Sequence, residues 1–313
     1  MKWYFIVLII ILALVFLVFL TSLICYLKTF YSKREKHKSD EIHLPNNPLY
    51  DTFKDQIIED IMAARKMKYK LLKTKSFDNL TLYGKYFESF EKAPIEIMFH
   101  GYKGDAERDL STGIRRAKAC GRNVLIVDQR AHGLSEGHTI SFGINERLDV
   151  LSWIDTVLKE FGIDTEIILC GVSMGAATVM MASNLDLPSN VKGILADCGY
   201  DSPKTIIKKY IRDLHLSPNV FYPFVKLGAL IFGHFNLDSA SPIESVKSSK
   251  TPIIFIHGDN DSFVPSYMSE KLYNACTNKK HLTIIKGAEH GISYLFEPDI
   301  YVNDLNNFFN VKK

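Results

Sequence analysis

The 313-residue sequence predicts an α/β fold: a mostly parallel sheet of about eight strands with helices on both faces, preceded by one N-terminal transmembrane helix. Three observations predict it. From residue 95 onward, short apolar runs alternate with longer stretches of helical spacing, as buried parallel strands alternate with their crossover helices. At one strand-to-helix junction stands a serine with a glycine two residues away on each side, Gly171-Val172-Ser173-Met174-Gly175. Finally, Trp3–Tyr26 carries no charge and almost nothing polar. As a helix it would measure roughly 36 Å, enough to cross a hydrocarbon core of about 30 Å.

In chain order, the reading divides the sequence into a transmembrane anchor (1–27), a basic juxtamembrane linker (28–49) and a catalytic domain (50–313). A cleaved signal peptide would have a shorter apolar core and a small-residue cleavage site. Ser22-Leu23-Ile24 before Cys25 also lacks the small residue of a lipoprotein site, so a retained anchor is the better reading. Lys28, Lys33, Arg34, Lys36 and Lys38 follow the helix, whereas only Lys2 and the terminal amine precede it. The positive-inside rule then favours the cytoplasmic face for the domain, with an extracytoplasmic domain as the alternative, since long domains translocate largely regardless of flanking charge. Pro45 and Pro48 break any helix in the linker.

Within the domain, Tyr50–Met67 has helical spacing through Phe53, Ile57, Ile58, Ile61 and Met62. Tyr69–Lys75 and Leu80–Phe87 read as an antiparallel pair joined at Asp78-Asn79. Strands are then expected at Ile95–Phe99, Asn123–Val127, Glu166–Cys170, Val191–Ala196, Ile253–Ile256 and Leu282–Ile285. Helices are expected near Ala106–Cys120, Ile144–Phe161, Ala176–Leu185 and Ile300–Phe309. The alternation breaks between Tyr200 and Lys250, where aromatic and aliphatic residues predict a helical cap insertion over 201–250 that lines an acyl or aromatic pocket.

The chemistry centres on Ser173. A turn this tight strains the serine backbone, and a Cβ at Gly171 or Gly175 would collide with neighbouring backbone. The strain presents the hydroxyl at the sheet's C-terminal edge. A serine hydroxyl needs a base to take its proton and a carboxylate to orient that base. Ile253–Ile256 runs into His257-Gly258-Asp259-Asn260-Asp261, and the next strand runs into Gly287-Ala288-Glu289-His290-Gly291. Asp261 is thus the expected acid and His290 the expected base. Asp259 competes as acid but suits the turn's backbone amides, and Asp197 is a third candidate better read as a loop cap. His100 and His257 each end a strand before glycine, where an imidazole usually bonds the loop backbone. The expected oxyanion donors are the amides of Met174 and of Tyr102, in His100-Gly101-Tyr102-Lys103-Gly104.

With these loops in order, the sequence resembles the α/β-hydrolase superfamily from roughly Lys70 to the C-terminus. It looks most like a membrane-anchored bacterial serine esterase/lipase-like branch related to prolyl-oligopeptidase-type and BEM46-like hydrolases. Asp128-Gln129-Arg130-Ala131-His132-Gly133-Leu134-Ser135 resembles the superfamily's D-x-R-G-x-G-x-S loop, with Ala131 where glycine is usual. The resemblance implies that Arg130 and Glu146 brace this loop from the following helix. It says little about substrate, because this fold carries many chemistries.

The function expected is a serine hydrolase acting on carboxylic esters, lipid-like or small, with the bilayer as partner and without metal or organic cofactor. A serine peptidase of the prolyl-oligopeptidase-like type is the alternative enzyme, and a non-catalytic binding protein on the same scaffold is the alternative from another class. Six of the 38 basic residues precede residue 40, and the rest do not outnumber the 35 acidic ones, so no nucleic-acid surface is supported. The five cysteines have no metal-ligand spacing and read as free thiols.

Overall fold

The computed structural model describes residues 3–33, 42, 44 and 51–309. Among them eight strands form one sheet: β1 (Lys70–Lys75), β2 (Thr81–Phe87), β3 (Ile95–Phe99), β4 (Asn123–Asp128), β5 (Ile167–Val172), β6 (Val191–Asp197), β7 (Ile253–Gly258) and β8 (Lys280–Ile285). Their order is β1-β2-β4-β3-β5-β6-β7-β8, with β1–β2 and β2–β4 antiparallel and every other pairing parallel. β3 and β7 are buried along their whole length, hence the apolar runs.

Side-chain alternation divides each central strand between two cores. Ile95, Ile97, Phe99, Ile253 and Phe255 pack under α4 (Glu146–Phe161), α5 (Met174–Ala182), α8 (Pro242–Ser248) and α9 (Tyr267–Ala275). Met98, Ile254 and Ile256 pack on the other face, with α2 (Lys54–Lys66), α3 (Ala106–Ala119) and α11 (Pro298–Phe309), which the short α10 (Ser293–Phe296) precedes. Glu96, fully buried, points to this second face. Arg116 of α3 reaches it through two bonds of 3.0 and 2.5 Å, and Arg122 through one of 2.5 Å. Burial alone would raise the Glu96 pKa, but the two guanidiniums outweigh it and hold the carboxyl below its ordinary value.

The cap is helical, as its spacing predicts. α6 (Pro203–Asp213) and α7 (Pro218–Ile231) lead to α8, and α6 and α8 each start at a serine whose side chain accepts a first-turn amide, followed by proline at the first helical position. α9 follows the acid loop and has no counterpart in the elements expected above.

α1 (Trp3–Thr29) is the one helix among the described residues long and apolar enough to cross a membrane. It runs two residues past the expected boundary at 27. Residues 3–20 are exposed throughout, whereas Ser22, Tyr26 and Phe30 are buried at four-residue spacing on one face. That face meets α7 where Gly228 lies so close that a Cβ would stand 2.5 Å from the Ser22 carbonyl oxygen. Phe30 packs edge-on against Phe142 and Phe235. Residues 30–32 are tied to the 138–140 loop, by Ser32 N–H to His138 O and Ile140 N–H to Phe30 O, each at 2.8 Å. Of the expected linker, residues 34–41, 43 and 45–49 lie outside the described residues.

Candidate active site

Four strand-end loops, those after β3, β5, β7 and β8, meet at the C-terminal edge of the sheet, and each brings one part of the site. At the β5–α5 junction Ser173 takes φ 56°, ψ −115°, a left-handed conformation that costs a serine energy. The flanking glycines make the turn feasible. A Cβ on Gly171 would lie 2.1 Å from the Gly175 oxygen, and one on Gly175 would lie 2.0 Å from the Phe99 oxygen. Ser173 N–H donates to Asp197 O at 2.9 Å, which pins the turn to β6.

His290, on the loop after β8, places Nε2 2.9 Å from Ser173 Oγ and Nδ1 2.6 Å from Asp261 Oδ2. An ionised carboxylate only accepts, so Nδ1 carries the proton and Nε2 offers its lone pair to the serine hydroxyl. Asp261 gathers further donors. Its Oδ1 accepts Phe263 N–H at 2.9 Å and Val264 N–H at 2.8 Å, and its Oδ2 accepts His257 Nε2 at 3.1 Å. Burial pushes its carboxyl up, but the bonds from His257 and His290 overcome that and hold it far below the usual carboxylate range.

His257 was expected to bond loop backbone, and it does, at Val264 O (2.7 Å). It also touches Asp261, and Ser269 Oγ of α9 lies 2.6 Å from its Nδ1. Val264 O can only accept, so Nε2–H is the donor and Nδ1 accepts from the Ser269 hydroxyl. His257 therefore holds the Asp261 carboxylate in place, a contact the sequence reading missed.

The competing acids go elsewhere. Asp259 takes Gly287 N–H at 2.5 Å, the amide role expected of it. Asp197 was expected to cap its loop, but its Oδ2 instead accepts the Tyr301 hydroxyl of α11 at 2.7 Å. His100 is neutral, pushed down to about 4 by burial, and its Nε2 accepts Gln129 N–H at 3.1 Å. Tyr102 and Met174 stand beside Ser173, Tyr102 in the cavity wall and Met174 as the first residue of α5. A Cβ on Gly101 would lie 3.6 Å from Ser173 Cβ, so the His100–Gly104 loop reaches the serine.

The loop after β4 explains its own motif. Arg130 makes two 2.7 Å bonds to Asp149 of α4 and two, of 3.0 and 3.1 Å, to Asp78 in the β1–β2 turn. Glu146 accepts Ser141 N–H at 2.8 Å and Gly143 N–H at 2.9 Å, bracing the loop before α4 rather than Arg130 itself. Ala131 adopts φ 65°, the backbone a glycine takes most easily.

Cys198, Asp261 and His290 bring one donor atom each within 4.8 Å of the others. They suit a metal ion poorly. The Asp261 and His290 atoms are bonded to each other, and burial raises the Cys198 thiol well above its ordinary value, against the thiolate a metal needs. The five cysteines are free thiols.

Comparison with known proteins gives a family match over part of the chain and solved structures of similar fold. Residues 92–216 match the family model described as serine aminopeptidase, S33. The uncharacterized protein YqkD of Bacillus subtilis is 26% identical over 191 residues, 61% of this chain and 63% of that protein. Protein bem46 of Schizosaccharomyces pombe is 24% identical over 221 residues, 68% of each chain. The match to YqkD, like that to YfhR of Escherichia coli O157:H7 at 60%, spans less than two thirds of the relative's length. An esterase of Pyrococcus furiosus superposes with TM-score 0.62 at 23% identity, covering 80% of this chain and 92% of that one. The acylaminoacyl peptidase of Pyrococcus horikoshii gives 0.56 at 19% identity, covering 80% and 42%.

Proposed function

We propose that this chain, which has the fold of α/β-hydrolases, is a membrane-anchored serine hydrolase that cleaves carboxylic esters through an acyl-enzyme. One observation carries the reading: Ser173 Oγ, His290 and Asp261 form an unbroken hydrogen-bonded relay, 2.9 Å then 2.6 Å, at the strand ends of this fold.

In the proposed reaction His290 Nε2 takes the Ser173 proton as Oγ bonds to the acyl carbon. The carbonyl electron pair moves onto oxygen, where the Met174 and Tyr102 amides stabilise it. The pair returns, the bond from carbon to the leaving oxygen breaks, and His290 gives its proton to that oxygen. Water then repeats the sequence on the acyl-serine, releasing a carboxylic acid and restoring the hydroxyl. Asp261 stays ionised and stabilises the imidazolium. A missing oxyanion donor costs such reactions about 2.7–4 kcal/mol.

The family model and the peptidase-like neighbour favour a second reading, cleavage of peptide amides, and the two separate on substrate. A labelled fluorophosphonate should modify the wild type and not Ser173→Ala. Folded wild-type protein that resists the label would leave only a binding role. Among labelled enzymes, faster turnover of aminoacyl-anilides than of p-nitrophenyl esters would reverse the preference for esters.

Retention of α1 as an anchor is supported by its packing, since cleavage would strip Tyr26 and Phe30 from the cap core. The basic residues after α1 support a cytoplasmic domain. Protease treatment of intact cells that removes the domain would refute that orientation.

A further inference from the structure

Two cavities meet at Ser173, and they differ in size, polarity and position. The larger, about 280 Å³, passes His290 and Gly291 and sets Arg108, Asp109 and Thr112 beside the apolar Ile57, Ile292 and Leu295 in its wall. The smaller, about 60 Å³, is an apolar slot with Tyr200, Ile206, Ile207 and Val264 in its wall, and Thr29 of α1. Among the described residues His290 lines the first cavity and not the second.

Proton transfer assigns their occupants. His290 must protonate the leaving oxygen, so the alcohol lies on the imidazole side and the acyl chain points away from it. We propose that the enzyme takes esters of a short acyl chain and a larger, partly polar alcohol, the acyl chain filling the slot beside the last turn of α1. This rests on Ser173 being the nucleophile. The slot volume is less than half of the about 150 Å³ of an apolar protein cavity that takes a benzene ring, which leaves room for an acyl group of roughly two to four carbons. Its α1 wall is built in. Tyr102 Oη donates to the Thr29 carbonyl at 2.7 Å and Lys103 Nζ to the Lys28 carbonyl at 3.0 Å. These are carbonyls that a helix C-terminus leaves without intrahelical partners. The membrane helix thereby limits acyl length as well as anchoring the domain.

The test uses full-length protein in detergent micelles, with p-nitrophenyl esters from acetate to dodecanoate and acetate esters of alcohols of increasing size. Butyrate should exceed octanoate at least tenfold in kcat/KM. Ile207→Ala, which deepens the slot, should move that ratio at least tenfold toward octanoate and leave the ranking of alcohols in place. Thr112→Trp, which fills the larger cavity, should do the reverse. Wild-type enzyme that turns over octanoate as fast as butyrate overturns the proposal, as does an Ile207→Ala variant that alters alcohol ranking alone. If Ile207→Ala does not fold, the wild-type series and Thr112→Trp still decide. Fluorophosphonate labelling keeps the layers apart: an unlabelled enzyme sinks the nucleophile itself, a labelled one with a flat chain-length profile only the slot.

Discussion

Replacing Asp261 with asparagine should abolish most activity, and the hydrogen-bond map shows why. Four donors converge on the carboxylate: Phe263 and Val264 amides on Oδ1, His290 Nδ1 and His257 Nε2 on Oδ2. Asparagine has one acceptor oxygen. Turned with its amino group toward the two backbone amides, it would leave buried donors facing donors, at about 1–3 kcal/mol for each group left unsatisfied. The other orientation keeps those amides and aims the amino group at the histidines. His257 loses little, because its Nε2–H still reaches Val264 O. His290 must then accept at Nδ1, which moves its proton to Nε2, directly against the Ser173 hydroxyl. The base is gone although every atom stays in place. In enzymes of this type the wrong tautomer costs about 10⁴ in kcat, equivalent to about 5.5 kcal/mol. The assay is p-nitrophenyl butyrate hydrolysis beside a thermal melt and the rate of fluorophosphonate labelling. Asp261→Asn with folded character and a kcat within tenfold of wild type would refute the assignment of Asp261.

Three further predictions concern the scaffold. Glu96→Gln strands two buried guanidiniums without a counter-charge and should cost about 3–5 kcal/mol, read as a lower urea midpoint. Asp128 is pushed up to about 6 by burial, against an unfolded value near 3.9. Its contribution to stability is therefore fully present below about pH 4 and lost as pH rises through about 6, on the order of 3 kcal/mol in all. A carboxyl carbon resonance of Asp128 titrating near 4 in the folded protein would contradict this. Gly228→Leu forces α7 off the Ser22 carbonyl and should cost about 1–3 kcal/mol by overpacking. An unchanged melting midpoint would mean that α1 and α7 are not in contact.

What the sequence made legible follows from how local each signal is. Ser173, Asp261 and His290 each stand within a few residues of the end of an apolar strand, so pattern alone lined up the three strand ends. Choosing between Asp261 and Asp197 was harder, since β6 and β7 are neighbours and both end in a carboxylate loop. The structure separates them through Tyr301, more than a hundred residues away, whose hydroxyl occupies Asp197. The role of His257 stayed hidden because it depends on Ser269, which fixes the ring through a helix the pattern did not reveal. α9 has its buried residues Met268 and Leu272 four apart, but no side chain caps its start, and nine residues give little periodicity.

The last turns of α1 show the limit most clearly. Apolar side chains suit lipid and protein interior equally, so a uniformly apolar helix cannot disclose which of its residues face which. The structure draws the line at about Leu20. The exposed stretch of residues 3–20, at about 1.5 Å per residue, comes to roughly 27 Å, close to the thickness of a hydrocarbon core. Phe19 meets Phe232 at the end of α7 with ring centroids 5.1 Å apart, so the tip of the cap reaches the level where exposure begins. Thr29 lies nine residues beyond Leu20, about 14 Å further along the axis. If α1 spans a bilayer with those exposed residues in the hydrocarbon, the slot beside Ser173 stands about 14 Å above it, beyond a headgroup layer of about 5–8 Å. A substrate must then leave the bilayer surface to reach Ser173, as an ester with a short acyl chain can.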